Sequence, residues 1–267
     1  MTKLSMYCMA LENENLEIIK KLNYLPVGLK NINFSDEWLR DNTGDNISQK
    51  NSYYGEYTWY YWYWKNLLKL KKKDEWIGFC SYREYWGSNK KTLSTKIDDL
   101  VLKDYQNKWD GYNAVIGEPI SVSSTKVSKI LKYGKIALLR NPKAIFSKKG
   151  RSIRWQFDMF HGNGNLDKAI DLLPESDRDD FKHFVRSENS FARGNIFISN
   201  SEKVINEYFT YIFTWLENCE KIFGFDLHSY GQKRMYAFIA ERFLPFWFKK
   251  YTKYMEWPIV YHDINKI

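Results

Sequence analysis

The pattern of hydrophobic and polar positions predicts alternating strands and helices along the first part of the chain. Leu4 to Ala10 forms a short apolar run that indicates a strand, and Glu12 to Leu22 comes next with the spacing of an amphipathic helix. Tyr24 to Leu29 is predicted to be the second strand. A polar loop from Asn33 to Lys50 separates these elements from the aromatic segment after it.

The next segment is a predicted helix from Asn51 to about Leu70, apolar on nearly every side. A helix that is hydrophobic all round is buried, so most rings between Tyr57 and Trp64 are predicted to lie in the core rather than to form a ligand platform. Asn51 or Ser52 can cap this helix. Trp76 to Trp86 then indicates a strand directly after the helix, as in a βαβ unit.

The second half of the chain adds further elements and no repeat, low-complexity segment or linker. The predicted elements are strands at Tyr112–Ile120 and Arg193–Ser199, a weaker amphipathic segment at Lys126–Leu139, and helices at Phe157–Leu173, Pro174–Val185, Ser201–Phe223 and Gly231–Tyr251. Alternating strands and helices predict an α/β fold with a central sheet flanked by helices. We expect one domain over residues 1–267.

Composition narrows the class of protein only slightly. The net charge of +9 (41 Lys and Arg against 32 Asp and Glu) would attract nucleic acid, anionic lipid or a diphosphate-bearing substrate. Because lysine dominates and Asn and Ile are abundant, the charge also fits an AT-rich genome and carries little weight. The 11 Trp, 20 Tyr and 17 Phe fit sugar stacking and an aromatic core equally well.

The sequence lacks several motifs that are typical of other classes of protein. The three scattered cysteines lack metal-ligand spacing and predict a reducing compartment. The chain has no secretory h-region and no apolar run near the roughly 20 residues of a spanning helix, so we expect a cytoplasmic protein, at most on the inner face of the cytoplasmic membrane. Without a Gly-rich phosphate loop or a Gly-x-Ser-x-Gly elbow, kinases, NAD enzymes and esterases are not favoured.

Two blocks of the sequence resemble a known family. They comprise Asp41-Asn42-x-Gly44-Asp45-Asn46-Ile47-Ser48, Tyr53-Tyr54-x-Glu56, Trp62-x-Trp64-Lys65-Asn66 and Ile77-Gly78-x-Cys80-x-Tyr82-Arg83, then Gln232-Lys233-Arg234-Met235-Tyr236-Ala237-Phe238 and Glu241-Arg242-Phe243-Leu244. In these blocks the chain is similar to the bacterial glycosyltransferase family catalogued as domain of unknown function 4422, whose members include capsule and lipopolysaccharide assembly proteins. The family often has His-Lys at Ala10-Leu11 and His-Tyr-Arg-Arg at residues 81–84, where this chain reads Ser-Tyr-Arg-Glu.

The resemblance implies a GT-A-like, Rossmann-like mixed sheet and a defined reaction. Such an enzyme transfers a sugar from a nucleotide-sugar donor to a hydroxyl of a growing surface glycan, in capsule, lipopolysaccharide or lipooligosaccharide. The acceptor can be lipid-linked, and an anionic membrane surface is a further candidate partner. No nucleic acid is expected as a partner, although a non-catalytic glycan- or nucleic-acid-binding protein is the alternative that the basic, aromatic composition allows.

The departing diphosphate of such a donor must be neutralised by a metal on an Asp-x-Asp pair or by Arg and Lys. The strand predicted at Trp76–Trp86 has no such pair. The one Asp-x-Asp sequence of the chain, Asp177-Arg178-Asp179, is explained better by the start of a helix after Pro174. A divalent metal is therefore not favoured, and no cofactor is certain. Arg83 is the predicted diphosphate contact, with Tyr82 beside it; a surface pair of Arg83 with Glu84 is the alternative.

The remaining candidate residues belong to the two blocks of the resemblance and to the strand at Arg193–Ser199. Asp45 or Glu241 is the candidate catalytic base. The donor contacts, besides Tyr82 and Arg83, are Asn46, Gln232 and Arg234, and the acceptor contacts are Asn195 and Arg242. The structural alternatives are an Asx-rich turn for the loop around Asp45 and a buried ion pair of Arg234 with Glu241.

Two other segments have competing interpretations. The apolar and basic residues between Phe243 and Lys253 fit a membrane headgroup boundary, but a last core helix ending in lysines is the favoured interpretation. His161 precedes Gly162-Asn163-Gly164 and is predicted to be a solvated loop residue, with a place on a mobile lid as the alternative.

Overall fold

The computed structural model describes residues 2–30, 32–88, 94–122 and 151–266. The chain divides into two compact units: Met1–Glu118 with Gly194–Tyr211 and Trp247–Ile267, and Pro119–Arg193 with Ile212–Phe246. The expectation of a single domain stays a prediction. The amphipathic segment predicted at Lys126–Leu139 lies outside the described residues.

The first unit is built on a mixed sheet. The strands of the described chain are β1 (Lys3–Ala10), β2 (Leu25–Gly28), β3 (Leu39–Arg40), β4 (Glu75–Ser81), β5 (Glu84–Trp86), β6 (Ala114–Gly117), β7 (Ile120–Ser121), β8 (Ser190–Phe191), β9 (Phe197–Ser199), β10 (Tyr254–Trp257) and β11 (Ile259–Tyr261). The main sheet has the order β3-β2-β1-β4-β9-β6-β10, and β5 joins β4 to β11. β1 is parallel to β2 and β4, whereas β9 is antiparallel to β4 and β6.

Helices accompany the sheet, as the sequence predicts. They are α1 (Leu16–Lys21), α2 (Asn51–Tyr54), α3 (Tyr57–Asn66), α4 (Ile97–Leu100), α5 (Ile153–His161), α6 (Asn165–Ile170), α7 (Glu175–Ser187), α8 (Glu202–Phe223), α9 (Tyr230–Lys233) and α10 (Met235–Tyr251). The central strands are almost wholly buried, which is the pattern of parallel strands covered on both faces. The predicted α/β class with a mixed central sheet is confirmed.

The rings of α3 form the aromatic core of the first unit. Tyr60 lies 4.8 Å from Phe79 on β4 and 6.0 Å from Phe197 on β9, measured between ring centroids. Tyr63 meets Phe79 edge-on at 5.3 Å. Tyr60 and Tyr63 are buried, as are most rings from residues 57 to 64, so the prediction that these rings belong to the core is confirmed.

The helix predicted from Asn51 to Leu70 is interrupted. Gly55 has φ +57°, a left-handed conformation that ends α2 and starts α3 in a new direction. The amide of Asn51 donates hydrogen bonds to the Gly55 carbonyl (3.0 Å) and to Thr58 Oγ1 (2.9 Å). The cap prediction was wrong, because Lys50 occupies the cap position and Asn51 stabilises the break instead.

The strand predicted from Trp76 to Trp86 reverses direction in its middle. β4 ends at Ser81, which pairs antiparallel with Glu84 of β5, so Tyr82 and Arg83 form a two-residue hairpin turn. The prediction of one continuous strand from Trp76 to Trp86 was therefore wrong. β10 and β11 near the C-terminus were not predicted.

The second unit is mainly helical. Phe243 of α10 lies 4.7 Å from Trp215 and 5.1 Å from Phe181, measured between ring centroids. The helix predicted at Phe157–Leu173 is two helices, α5 and α6, separated by the Gly-Asn-Gly turn. α7 begins just after Pro174 with Asp177 in its first turn, so the helix-start interpretation of the Asp-x-Asp sequence is confirmed.

Most apolar residues of the segment from Phe243 to Lys253 are core residues, whereas Tyr251 is exposed. Phe243, Leu244, Trp247 and Phe248 are each at most 3% exposed, in agreement with the favoured interpretation of the sequence. Lys249 pairs with Glu256. No helix within the described residues is both long enough and apolar enough to cross a bilayer.

Candidate active site

The carboxyl ends of the parallel strands define one edge of the sheet in the first unit. β1 ends at Ala10, β2 at Gly28 and β4 at Ser81. Because β9 is antiparallel to β4, the residues that precede β9, Gly194 and Asn195, lie at this same edge. Open α/β sheets bind ligands at this edge, so it is the candidate active site.

The hairpin turn at this edge is held through its backbone. The Tyr82 N–H donates to the Met9 carbonyl (2.8 Å), and the Arg83 carbonyl accepts from the His262 N–H (3.0 Å). Arg83 is exposed, and its guanidinium carbon lies 5.5 Å from the centre of the Tyr82 ring. The turn therefore presents a cation beside an aromatic ring from a fixed backbone, an arrangement suited to an anionic ligand.

Asn195 occupies an unusual backbone conformation at the same edge. Its φ is +49°, in the left-handed region, and the residue is buried. Tyr60 Oη donates a hydrogen bond to the Asn195 carbonyl, which fixes this backbone to α3. The Asn195 amide donates to Glu56 Oε1 at 3.3 Å. A strained, buried residue whose side chain reaches a carboxylate is a functional signal.

A second carboxylate faces the residue before Asn195. Gly194 has φ +98°, and a Cβ added to it would lie only 2.7 Å from Glu84 Oε2. A side chain would be strained at this φ, so the position favours glycine. Burial raises the pKa of Tyr60 well above its ordinary value, and the charges of Glu56 and Glu84 add to that rise. The charges of both carboxylates therefore disfavour ionisation of the Tyr60 hydroxyl.

Glu56 and Glu84 were not selected from the sequence. Glu56 lies at the N-cap position of α3 without a capping side-chain hydrogen bond, and both carboxylates are half-buried, so they retain contact with solvent. One signal was present, because Glu56 is the only acidic residue between Asp45 and Asp74. A carboxylate at this edge can take a proton from a hydroxyl, and the Asn195 amide can hold it in place.

The loop from Asp41 to Ser48 uses its polar groups largely to close itself. Asn46 Nδ2 donates to the Gly44 carbonyl (2.9 Å), and its Oδ1 accepts from the Ser48 N–H (3.2 Å). Asp45 is exposed, and its backbone exchanges hydrogen bonds with the side chain of Asn66. These contacts fit the Asx-turn interpretation, and the ligand roles of Asp45 and Asn46 stay predictions.

Asp41 at the start of this loop is fully buried. Its Oδ2 accepts a hydrogen bond of 2.5 Å from Thr58 Oγ1 on α3. Burial raises the pKa of Asp41 to about 6, against the opposing effect of its hydrogen bonds. This carboxyl ties the loop to the helix and titrates near neutral pH.

The second unit contains the other predicted residues. Arg242 is buried and donates hydrogen bonds to Gln156 Oε1 (3.0 Å) and the Phe238 carbonyl (3.2 Å), and it pairs with Glu241 at 2.5 Å. Burial lowers the pKa of Arg242 to about 10, and the charge of Glu241 opposes that change. Glu241 thus forms an ion pair with Arg242, and the pair of Arg234 with Glu241 stays a prediction. The acceptor role of Arg242 and the base role of Glu241 stay predictions.

His161 ends α5 and is buried, so its prediction as a solvated loop residue was wrong. Its ring stacks on Phe238 at 4.0 Å, and Nδ1 lies 3.0 Å from the Gly231 carbonyl. Burial and then the charge of Arg242 lower its pKa well below the ordinary value. Gln232 in α9 and Arg234 just after it are half-buried, and their donor roles stay predictions.

Metal-binding residues are not concentrated in the described part of the chain. Across residues 2–30, 32–88, 94–122 and 151–266, no three His, Cys, Asp or Glu side chains are grouped so that they could hold a metal ion. Arg83 is a cation that the described residues offer at this edge.

The fold of this chain is similar to that of a solved glycosyltransferase. The apo structure of WbbM, a bifunctional glycosyltransferase, is similar to 97% of this chain with a TM-score of 0.67 and 18% sequence identity. This likeness shows the fold, and the chain spans 45% of the length of that protein. Comparison with curated proteins finds no match.

The family is shown by the sequence itself. The model of the family described as domain of unknown function DUF4422 matches residues 6–253, and the chain belongs to this family. The resemblance seen in the two sequence blocks is thereby confirmed.

Proposed function

We propose that the protein is a glycosyltransferase that moves a sugar from a nucleotide-sugar donor to a hydroxyl of a growing surface glycan. The observation that carries the proposal is the hydrogen bond between Glu56 and Asn195, at the sheet edge where Arg83 is also exposed. This edge therefore carries a positioned carboxylate and a cation, two groups that sugar transfer from a nucleoside diphosphate can use. Family membership and the glycosyltransferase-like fold support it.

The two parts of the edge take different roles in this proposal. Arg83 binds the diphosphate of the donor bidentately and stabilises the charge that develops as the nucleoside diphosphate departs. Tyr82 lies beside the guanidinium and contacts the same donor. Glu56 accepts the proton of the acceptor hydroxyl as that oxygen bonds to the anomeric carbon, and Asn195 holds the carboxylate in place.

The acceptor is proposed to be a capsule, lipopolysaccharide or lipooligosaccharide chain, including lipid-linked forms. This part rests on the family resemblance. The reducing compartment indicated by the cysteine pattern supports a cytoplasmic enzyme, working at the inner face of the cytoplasmic membrane.

A panel of nucleotide sugars tests the proposal. We expect one donor to raise the melting temperature and to be hydrolysed slowly without acceptor, and Glu56→Gln to keep the thermal shift while losing hydrolysis. If no donor binds, the proposal fails. Salt-sensitive binding of RNA or DNA with no response to nucleoside diphosphates would favour the non-catalytic alternative.

A further inference from the structure

A cavity of about 150 Å³ lies in the first unit, away from the carboxyl edge of the sheet. Residues that line it include Lys73, Asp74, Trp76, Tyr105, Asp110 and Asn200. Lys73 and Asp74 precede β4, whereas Asn200 comes directly after β9, which runs antiparallel to β4. These residues therefore meet at the amino-terminal edge of the parallel strands, which is the opposite edge from Arg83 and Glu56.

Aromatic residues contribute to the lining of this cavity, and Tyr105 is the one whose ring is partly exposed, because Trp76 and Trp109 are buried. The ring of Tyr105 is half-buried and lies 6.0 Å from Trp76 and 5.9 Å from Trp109, measured between ring centroids. The Tyr105 hydroxyl donates a hydrogen bond to Asp110. That hydrogen bond raises the pKa of Tyr105 to about 12, so the phenol stays neutral. Its partners hold the ring in place while part of it remains exposed.

The rest of the lining can both accept and donate hydrogen bonds. The carboxylates of Asp74 and Asp110 and the ammonium group of Lys73 are exposed, and the amide of Asn200 is half-buried. Sugar hydroxyls need acceptors and donors together, and the apolar face of a sugar ring needs an aromatic surface. Two carboxylates disfavour a phosphate, and the ammonium group disfavours a simple cation.

The size of the cavity limits its occupant. Pockets for drug-sized ligands begin at roughly 300 Å³, about twice this volume, so a single ring suits it best. We propose that this cavity is a secondary saccharide site that holds one sugar unit of a glycan at a distance from the transfer site. That the glycan is the growing acceptor chain rests on the proposed function, whereas sugar binding in the cavity does not.

Saturation-transfer NMR with simple methyl glycosides tests the site. The probes are the methyl glycosides of glucose, galactose, N-acetylglucosamine and rhamnose, added to the full chain with and without excess UDP. We expect at least one glycoside to receive saturation in both conditions. Tyr105→Ala and, independently, Asp110→Ala should weaken that binding at least about tenfold. Tyr261→Ala, which removes an exposed tyrosine of β11, serves as the control and should leave it unchanged.

The outcomes separate the secondary site from the transfer site. Glycoside binding that survives in Glu56→Gln and is lost in folded Asp110→Ala supports the secondary site, even if no donor is ever turned over. Absence of saturation for every glycoside would overturn it. Binding that persists in both Tyr105→Ala and Asp110→Ala would also overturn it, because the sugar would then sit elsewhere.

Discussion

The side-chain amide of Asn195 donates a 3.3 Å hydrogen bond to the carboxylate of Glu56, which lies 139 residues earlier in the chain. Asn195 has a left-handed backbone with φ +49°. Its carbonyl accepts a hydrogen bond from the hydroxyl of Tyr60, which lies one turn after Glu56 at the start of α3. The chain thus stabilises an unfavourable conformation in order to place an amide against a carboxylate. Such strain is typical of residues that position a reacting group.

Glu56→Gln is expected to lower kcat by about 10² to 10⁴-fold, because the amide can hydrogen-bond but cannot take a proton. The thermal shift caused by the donor should be preserved. Steady-state kinetics with the donor found by screening would measure kcat and KM separately. Glu37→Gln, at an exposed carboxylate paired with Lys20, is the matched control. Equal activity of Glu56→Gln and the wild type would refute the base role.

Asn195 is expected to show different effects on stability and on activity. Asn195→Gly tolerates φ +49°, whereas Asn195→Ala keeps a Cβ on a left-handed backbone and loses the polar side chain that favours this conformation. We therefore expect the alanine variant to unfold about 1 kcal/mol more easily than the glycine variant in urea. Both variants lose the amide that holds Glu56, so both should lose kcat. A glycine variant with full activity would show that Asn195 acts only on the fold.

Arg83→Ala is expected to lower turnover by orders of magnitude and leave the fold intact, because Arg83 is exposed and its turn is held by backbone hydrogen bonds. Arg83→Lys should recover only part of the activity, since an ammonium group does not bind two phosphate oxygens as a guanidinium does. Arg186→Ala, at another exposed arginine, should leave the activity unchanged.

The transfer should also persist in the presence of a metal chelator. Activity abolished by chelator and restored by manganese would contradict the role given to Arg83.

Long periodic elements could be predicted from the sequence, and short ones could not. The helix predicted at Ser201–Phe223 is α8, one residue shorter, because an apolar stripe over 22 residues leaves little ambiguity. The turn at Tyr82 and Arg83 escaped prediction because it carries none of the Gly, Asn or Asp residues that usually mark a two-residue hairpin. Its conformation is set by partners distant in the sequence, such as His262.

The candidate site could be predicted only in part, for a related reason. The order of strands and helices, which the hydrophobic pattern predicts, gives the sheet whose edge holds the site. Arg83 was selected from the family resemblance and from the lack of an Asp-x-Asp pair, and its role stays a prediction. The contact of Glu56 with Asn195 joins two segments far apart in the sequence, and no local spacing encodes it. Gly194 and Asn195 were predicted inside a strand, but β9 starts at Phe197 because their left-handed backbone stops the pairing.

Membrane binding is expected to be electrostatic only. The net charge of +9 attracts anionic vesicles, whereas Phe243, Leu244, Trp247 and Phe248 are buried and not free to insert. In co-sedimentation with phosphatidylglycerol vesicles, binding at low salt should disappear at about 0.5 M salt, where the Debye length is only a few ångströms. Neutral phosphatidylcholine vesicles are the control. Binding that survives high salt would imply inserted apolar side chains and contradict this expectation.

Asp41 is expected to make the protein less stable as the pH rises through 6. Its pKa is raised from 3.8 to about 6 in the folded chain, mainly by burial, so the folded state holds a proton that the unfolded state has released between these values. The contribution of Asp41 to stability is therefore present below about pH 4 and is lost as the pH rises through 6.

The variant Asp41→Asn isolates this effect, because it does not titrate and can still accept the hydrogen bond from Thr58. The amide can change the free energy of unfolding by a constant amount, but such a constant does not affect how the difference between the two proteins varies with pH. The free energy of unfolding should be measured in urea at pH 4 and pH 7. From pH 4 to pH 7, the free energy of unfolding of Asp41→Asn should rise relative to that of the wild type by on the order of 3 kcal/mol, the equivalent of a shift of about two pKa units. Ser35→Ala, at an exposed residue, should behave like the wild type. If the wild type and Asp41→Asn change in parallel with pH, Asp41 ionises in the folded protein at its ordinary pKa, and the buried carboxyl does not couple the loop to pH.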